Sequence, residues 1–203
     1  MEATSGCLEV GRRGFVVGFM ASIGIAYGGR GASASDQELS RVPGTDMEPA
    51  SRDVAEALKY TGQDGSLGVS ADEVFTNAVA TYFDIGPREI LENGDPRIVF
   101  IAKTQRVVVE TFGPRGDLKK VHIGFSMAGP DDQRSSAALL AQAILRNVYG
   151  GSEAPNTWLQ GVYPKVVGGP NGEVVTGSLN GIKTSVFFSS TDRSWMVFAI
   201  APA

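Results

Sequence analysis

The fold is decided by residues 97–127, which read RIVFIAKTQRVVVETFGPRGDLKKVHIGFSM. β-Branched and aromatic residues dominate this stretch, and turn-forming residues interrupt it at 103–105 and at 113–117. Three strands are therefore predicted, at 98–102, 107–112 and 118–127. Because turns this short cannot contain the crossover that parallel strands need, we expect an antiparallel meander.

The third predicted strand alternates between apolar and polar side chains, which is typical of a strand that covers a core with one face. Its apolar side carries Val121, Ile123, Phe125 and Met127. Its polar side carries Lys120, His122, Gly124 and Ser126. We expect the polar face, with Lys120 and His122, to lie open to solvent.

Residues 131–149 carry helix signals at both ends. Acidic residues stand at the start, Arg146 falls in the last turn and Gly150 follows, as the helix dipole and the usual helix stop favour. Apolar residues recur between them at helical spacing, at Leu140, Ile144 and Val148. The pattern predicts a long helix that packs on the sheet.

Two further helices are predicted upstream. Ser51 can cap a short helix over 51–60. Ser70 and Glu73 have the spacing of a capping box, and the apolar residues that follow predict a helix that ends before Gly86-Pro87. Between these helices, residues 61–69 are rich in glycine and polar residues, which is typical of a mobile connection or a binding loop.

The C-terminal part predicts a loop followed by three more strands. Proline and glycine recur over 151–172, although this stretch also holds apolar residues that must pack somewhere. Strands are predicted at 173–179, 181–189 and 194–201. The predicted fold class is α+β, with an antiparallel sheet of about six strands packed against two main helices. A predicted helix followed by three predicted strands occurs twice along the chain, which suggests two similar halves.

The N-terminus has the features of a secretory signal in the required order. Arg12 and Arg13 form the basic flank, an uncharged run over 14–29 forms the apolar centre, and Ala32-Ser33-Ala34 offers a cleavage site. The apolar run is shorter than the roughly 20 residues of a membrane-spanning helix. The expected organisation is an export signal peptide over 1–34, a flexible linker over 35–50 and one α+β domain over 51–203.

The export route is indicated by a short motif, Arg12-Arg13-Gly14-Phe15-Val16, which resembles the twin-arginine export signal. Gly11 and Val17 depart from that motif, so the general export route stays open. The resemblance implies a domain that folds before it crosses the membrane. Either route predicts a protein of the bacterial periplasm or the extracellular space, with no stable membrane span after signal cleavage.

Composition limits the function classes. The formal net charge of −4 disfavours a nucleic acid partner, because nucleic-acid binders usually present a basic surface. Cys7 would leave with the signal, which excludes thiol catalysis and cysteine-based zinc sites from the expected mature chain. The sequence contains no phosphate-binding loop and a single histidine, so neither a cofactor nor a metal is predicted.

A serine motif is the sharpest indication of an enzyme. The hexapeptide Gly124-Phe125-Ser126-Met127-Ala128-Gly129 resembles the nucleophile elbow of α/β-hydrolases. That family places its histidine after the serine, whereas His122 precedes it. An extended strand would separate His122 and Ser126 by about 13 Å, beyond hydrogen-bond reach. An exported hydrolase that uses Ser126 or a pair of carboxylates is therefore the second hypothesis, and no catalytic residue is assigned.

The first hypothesis is an exported, non-catalytic domain that binds a small apolar or amphipathic ligand, or an envelope protein. Trp158 and Tyr163 lie in the predicted loop 151–172, where they would form a ligand wall or seal the core. His122 would make a pH-sensitive contact, act as a lone metal ligand or be an ordinary surface residue beside Lys120. The candidate binding residues are Trp158, Tyr163, His122 and Lys120.

Overall fold

The computed structural model describes residues 51–62, 65–189 and 193–203. These residues contain five helices and seven strands. The helices are α1 (Arg52–Leu58), α2 (Ala71–Val74), α3 (Asn77–Ala80), α4 (Asp131–Val148) and α5 (Ala154–Gly168). The strands are β1 (Phe83–Ile90), β2 (Pro96–Ala102), β3 (Val107–Phe112), β4 (Lys120–Ser126), β5 (Val175–Leu179), β6 (Ile182–Phe188) and β7 (Trp195–Pro202). The predicted export signal and linker, residues 1–34 and 35–50, lie outside the described residues.

The strands form one antiparallel sheet with the order β1-β2-β3-β4-β7-β6-β5. Two meanders make up the sheet, β1 to β4 and β5 to β7, and their last strands pair with each other in the middle. Helices α4 and α5 connect the meanders. Because the described residues combine helices with an antiparallel sheet, the α+β class is confirmed. The two parts are unequal, since the first meander has four strands and the second has three.

Each of the predicted strands has a counterpart among β2 to β7, with ends displaced by a few residues. Strands β3 and β4 are buried along their whole length. β3 is rich in β-branched residues, as is usual for a strand that is covered on both faces, whereas β4 keeps its alternation of polar and apolar residues. The strand that was not predicted is β1.

The helix predicted from Ser70 to before Gly86-Pro87 is not continuous, because the structure has two short helices there, α2 and α3, followed by strand β1. The capping box is present, because Ser70 Oγ accepts the Glu73 N–H at 3.2 Å and the Ser70 N–H donates to the Glu73 carboxylate at 2.7 Å. Helix α2 ends after Val74, where Phe75 leaves the helical region with φ −103° and ψ 66°. The Phe75 ring stacks on Phe100 with centroids 3.9 Å apart. Packing of this aromatic ring against the sheet overrides the local helical period.

Strand β1 lies where the sequence predicted the end of a helix. Gly86-Pro87 falls inside β1, which is an edge strand, and the pairing with β2 shifts between Ile85 and Arg88. Proline is tolerated at an edge or a bulge because the sheet does not need its N–H there. The same dipeptide that reads as a helix stop is therefore compatible with an edge strand.

Helix α5 replaces most of the predicted loop over 151–172. Pro155 stands in its first turn, where a backbone N–H has no partner within the helix. Pro164 lies inside the helix on the exposed side, where water can bond the carbonyl that loses its N–H partner. Leu159 and Val166 are buried in the core, so the apolar residues of this stretch pack against the sheet through α5.

Helices α4 and α5 cover one face of the sheet and form the larger core with it. The buried residues of α4 recur at spacings of three and four, as expected of a helix with one apolar face. They are Ala137, Ala141, Ile144, Leu145 and Val148. Val109, Ile123 and Phe198, which are paired across β3, β4 and β7, belong to the same core.

Helix α1 covers the opposite face of the sheet. Its buried residue, Val54, packs in a second cluster with Val99, Val108, Phe187, Val197 and Ala199. This is the face that carries Lys120 and His122. The prediction that it is open to solvent is wrong, because both side chains are buried beneath α1 and the residues that follow it.

We expect Ile144→Ala to lower the free energy of unfolding by about 2–5 kcal/mol, because it leaves a cavity between α4 and the sheet. Leu139→Ala, on the same helix but 62% exposed, should change it by less than about 0.5 kcal/mol. Denaturant unfolding of both variants measures the difference. Equal losses would contradict the assigned packing of α4.

Candidate functional site

Charged side chains lie in neighbouring strands beneath α1. Arg97 belongs to β2, Glu110 to β3 and His122 to β4, and Glu110 stands directly opposite His122. All three are buried, His122 with 1% of its surface exposed. Because a buried charge is costly unless it is paired, these groups must satisfy one another.

Glu110 is the centre of this network. Its Oε1 accepts a hydrogen bond from Arg97, and its Oε2 is 3.0 Å from Nδ1 of His122. Arg97 also donates to Glu89 at 2.7 Å. Burial alone would raise the pKa of Glu110, but the bonds to His122 and Arg97 hold that pKa below its ordinary value. The carboxylate is therefore ionised at neutral pH.

His122 is neutral in this environment. Burial lowers the pKa of its imidazole, and the bond to Glu110 opposes that effect only in part. A neutral ring that bonds a carboxylate through Nδ1 carries its proton there, which leaves Nε2 as an acceptor. Nε2 is buried and has no hydrogen-bond partner among the described residues.

An aromatic pair closes over this network. Tyr60, just after α1, lies against Phe112 with ring centroids 4.8 Å apart, and its hydroxyl donates to Asp95 at 2.6 Å. Phe112 meets His122 edge to face, with centroids 4.9 Å apart. Phe112 thus packs against the histidine, and Tyr60 packs against Phe112.

Lys120, a predicted binding residue, has a structural contact. Its Nζ donates to the backbone carbonyl of Lys59, in the segment between α1 and Tyr60. This bond ties the end of α1 to the middle of the sheet. A role of Lys120 in binding stays a prediction.

Ser126 is too far from His122 for a catalytic pair. The two residues are four positions apart on the same extended strand, which separates them by about 13 Å. Ser126 is buried, and its Oγ accepts the N–H of Ala128 at 3.3 Å. The geometry therefore does not favour the serine form of the hydrolase hypothesis.

A cleft of about 480 Å³ opens at the C-terminal end of α4. Three parts of the chain meet there: the segment before and through α2, the end of α4, and the turn between β5 and β6. The apolar lining consists of Leu67, Val69, Val148, Tyr149 and Ile182. The polar lining includes Glu73, Thr76, Asn147 and Asn180.

The end of α4 is shaped by two glycines. Gly150 and Gly151 have φ angles of 63° and 85°, a left-handed conformation that favours glycine and stops the helix. The side chain of Asn147 donates to the carbonyl of Val74 at 2.8 Å and so joins α4 to α2. Asn147, Gly150 and Gly151 all line the cleft beside the last turn of α4.

Another wall comes from the segment 61–69, which was predicted to be a mobile connection or a binding loop. Its later part is anchored, because Leu67 N–H donates to the Leu118 carbonyl at 2.8 Å and Leu118 N–H donates to the Val69 carbonyl at 2.9 Å. Leu67, Gly68 and Val69 all line the cleft.

The lining of the cleft carries one acidic side chain. Glu73 is the charged residue of its lining, and no Lys, Arg or His lines it within the described part of the chain. Hydrogen bonds from the backbone and side chain of Ser70 lower the pKa of Glu73, so its carboxylate is ionised at neutral pH. The last turn of α4 carries the partial negative charge of a helix C-terminus, and Arg146 of that turn, which donates to the Gly151 carbonyl at 2.9 Å, offsets part of it. Burial raises the pKa of Tyr149, so its phenol stays neutral.

Trp158 and Tyr163 lie on α5, away from the cleft lining. Trp158 is half-buried and packs on β5, where a Cβ at Gly177 would stand only 2.5 Å from its ring. Tyr163 is 38% exposed. The structure thus separates the four predicted binding residues, since His122 and Lys120 lie on the other face of the sheet. Their binding roles stay predictions.

The cleft residues were missed as a site because they come from distant parts of the sequence. The signals that mark them are individually weak: the glycine-rich segment 61–69, the pair Gly150-Gly151 and the turn at Asn180-Gly181. Nothing in the sequence indicates that these three turns meet. Their meeting is decided by the order of the strands.

No protein-family model, curated protein or solved structure matches this chain. Over the described residues, no three His, Cys, Asp or Glu side chains come together in a way that could hold a metal ion. In the same residues, no helix has the length and apolar character to cross a membrane.

We expect Glu110→Gln to lower the free energy of unfolding by about 3–5 kcal/mol at neutral pH, because it leaves a buried guanidinium without its main partner. Asp72→Asn makes the same chemical change in the exposed pair of Asp72 with Arg115 and should leave stability nearly unchanged. Denaturant unfolding compares the two. A small effect of Glu110→Gln would show that the network is not needed for stability.

Proposed function

We propose that this protein is an exported, non-catalytic domain that binds a small amphipathic ligand in the cleft at the end of α4. The observation that carries this proposal is the lining of the cleft, which combines apolar side chains with a few polar ones and a single ionised carboxylate. Sites for small molecules are typically built in this way. The cleft volume of about 480 Å³ suits such a ligand, since small-molecule sites span about 300–1,000 Å³.

The charge of the lining selects the polar group of the ligand. Glu73, the one charged residue of the lining among the described residues, attracts a cation and repels a carboxylate or a phosphate. Leu67, Val148 and Ile182 offer contact to an apolar tail. The ligand class is therefore an amphipathic molecule with an ammonium or other hydrogen-bond-donating head.

The titratable groups favour binding over catalysis. Catalytic acids and bases usually combine a shifted pKa with access to a cleft. The buried pair Glu110 and His122 lies on the α1 face of the sheet, opposite α4. The carboxylate in the cleft, Glu73, has a lowered pKa, which suits a counter-ion better than a proton donor at neutral pH.

A protein partner is the second candidate, and strand β1 favours it. Ile90 of this edge strand is 72% exposed, and an exposed apolar edge can pair with a strand of another protein. Pro87 and the bulge beside it interrupt the edge, which shortens the strand that it could add. The cleft is for this reason the preferred site.

We expect hexylammonium to bind this protein more tightly than hexanol, and hexanoate to bind most weakly. The three probes share a tail and differ in the charge of the head, so the order reports the sign of the potential in the cleft. Calorimetry gives the affinities, and NMR shifts of the Gly150 and Gly151 amides give the location. If none of the probes moves these amides, the proposed site is wrong.

Glu73→Gln separates the charge of Glu73 from its structural role. Glutamine also completes a capping box, so the start of α2 is kept while the charge is removed. The variant should bind hexylammonium more weakly and hexanol as before. Asp72→Asn is the matched control, because Asp72 does not line the cleft. Equal effects of the two substitutions would assign the preference to general surface charge.

The proposed export predicts a mature chain that starts near Ser35. Mass spectrometry of the protein recovered from the periplasm or medium of a bacterial host tests this directly, because cleavage after Ala34 removes a defined mass. Recovery of a chain that still carries Met1 would contradict the proposed signal peptide.

A further inference from the structure

We propose that protonation of His122 releases α1 and the residues that follow it from the sheet, so that mild acid opens the face that α1 covers. This inference concerns the face of the sheet opposite the cleft and does not depend on the ligand proposed above. It rests on the position of a single buried histidine and on the contacts that attach α1 and the next two residues, Lys59 and Tyr60, to the sheet. Residues 52–60 are called the cover below.

His122 has no place for a second proton in the closed structure. Its Nδ1 already faces the Glu110 carboxylate at 3.0 Å. Its Nε2 is buried, and no acceptor reaches it in the residues that the structure describes. An imidazolium is a donor at both nitrogens, so protonation creates a buried N–H and a buried charge that lack a full set of partners.

The charged groups around His122 are already balanced when the ring is neutral. Glu110 faces it from β3, Arg97 from β2 and Lys120 from its own strand, and Glu89 of β1 pairs with Arg97. Two cations and two anions make up this set. The neighbours of His122 on β7 and β6, Ala199 and Ser185, carry no charge.

The covering segment contributes no compensating acid. On α1, Arg52, Asp53 and Glu56 are exposed and point away from the sheet, and Lys59 is exposed as well. Tyr60 packs on Phe112, and behind it Asp95 is held by both the Tyr60 hydroxyl and Lys119. A proton on His122 therefore adds an excess positive charge close to Arg97 and Lys120.

The cover is attached by fewer contacts than the strands beneath it. Strands β3 and β4 are bonded to neighbours on both sides and packed on both faces. Helix α1 has seven residues and one fully buried side chain, Val54. Its polar attachments include Ser51 to the Gly172 carbonyl at 2.7 Å, Lys120 to the Lys59 carbonyl, and Tyr60 to Asp95. Short elements with few buried contacts open before the core does.

The sign of the pH effect follows from the lowered pKa of His122. The open state takes up a proton near the ordinary pKa of 6.5, whereas the closed state resists it until a lower pH. The closed state is therefore fully favoured above pH 6.5 and loses stability as the pH falls below it. Glu110 is ionised where this window begins, because the bonds to His122 and Arg97 lower its pKa in spite of burial.

NMR and hydrogen exchange on the full chain test the proposal. His122 is the only histidine, so its ring signals titrate without assignment. Amides of residues 54–60 should lose protection as the pH falls below 6.5, by about tenfold in the opening equilibrium per pH unit above the closed-state pKa, after correction for intrinsic exchange. Amides of β3 and β4 should keep theirs. Unchanged protection of 54–60 through the histidine titration would overturn the proposal, and so would simultaneous loss in all strands.

Two variants assign the effect to its residues. His122→Gln keeps a donor for Glu110 but cannot titrate, so the acid-dependent exchange of 54–60 should disappear. Tyr60→Phe removes the bond to Asp95 and should move the opening to higher pH. Tyr82→Phe, at an exposed tyrosine away from the cover, is the matched control and should leave the midpoint unchanged. Should His122→Gln not fold, the exchange data on the unmodified chain and on Tyr60→Phe still decide the question.

Discussion

Burial of both faces of β3 and β4 is the constraint on which the rest of the structure depends. Alternate side chains of a strand point to opposite faces, so a strand covered on one side only can leave its polar residues in water. Here α4 and α5 cover one face and α1 covers the other, and every residue of the two strands is buried. The polar residues on the α1 face therefore have to find hydrogen-bond partners within the protein. Glu110 takes Arg97 and His122, and Lys120 bonds to the backbone of Lys59.

The pairing of β4 with β7 decides where the cleft forms. Because these two strands are neighbours, the chain that leaves β4 must cross the sheet to enter β5 at the far edge. Helices α4 and α5 make that crossing, and the end of α4 comes to lie near the turn between β5 and β6. The segment before α2 is bonded to Leu118 and completes the enclosure. A site of this kind is a product of strand order, which explains why its residues share no sequence motif.

The sequence predicted correctly those helices and strands whose local residue pattern agrees with their packing in the fold. Strands β2 to β7 and helix α4 carry strong periodic signals, and all of them are present. Strand β1 was missed because an edge strand that is mostly exposed does not need alternating apolar residues, and because Gly86-Pro87 resembles a helix stop. Helix α5 was missed because Pro155 and Pro164 resemble loop residues. In the stretch after Ser70 the capping signal is correct, but contact between Phe75 and Phe100 ends the helix early.

The sequence by itself determined the α+β class, the strands β2 to β7, the start of α2 and the side of β4 on which His122 and Lys120 lie. These properties follow from turn lengths, caps and the alternation of a strand, all of which act between residues close in the chain. Only the tertiary structure decided that this side is buried. A polar side chain can bond equally well to water or to a partner on another strand, and its own sequence neighbours do not distinguish the two. The partner of His122 is Glu110, and its cover is a helix that begins 70 residues earlier at Arg52.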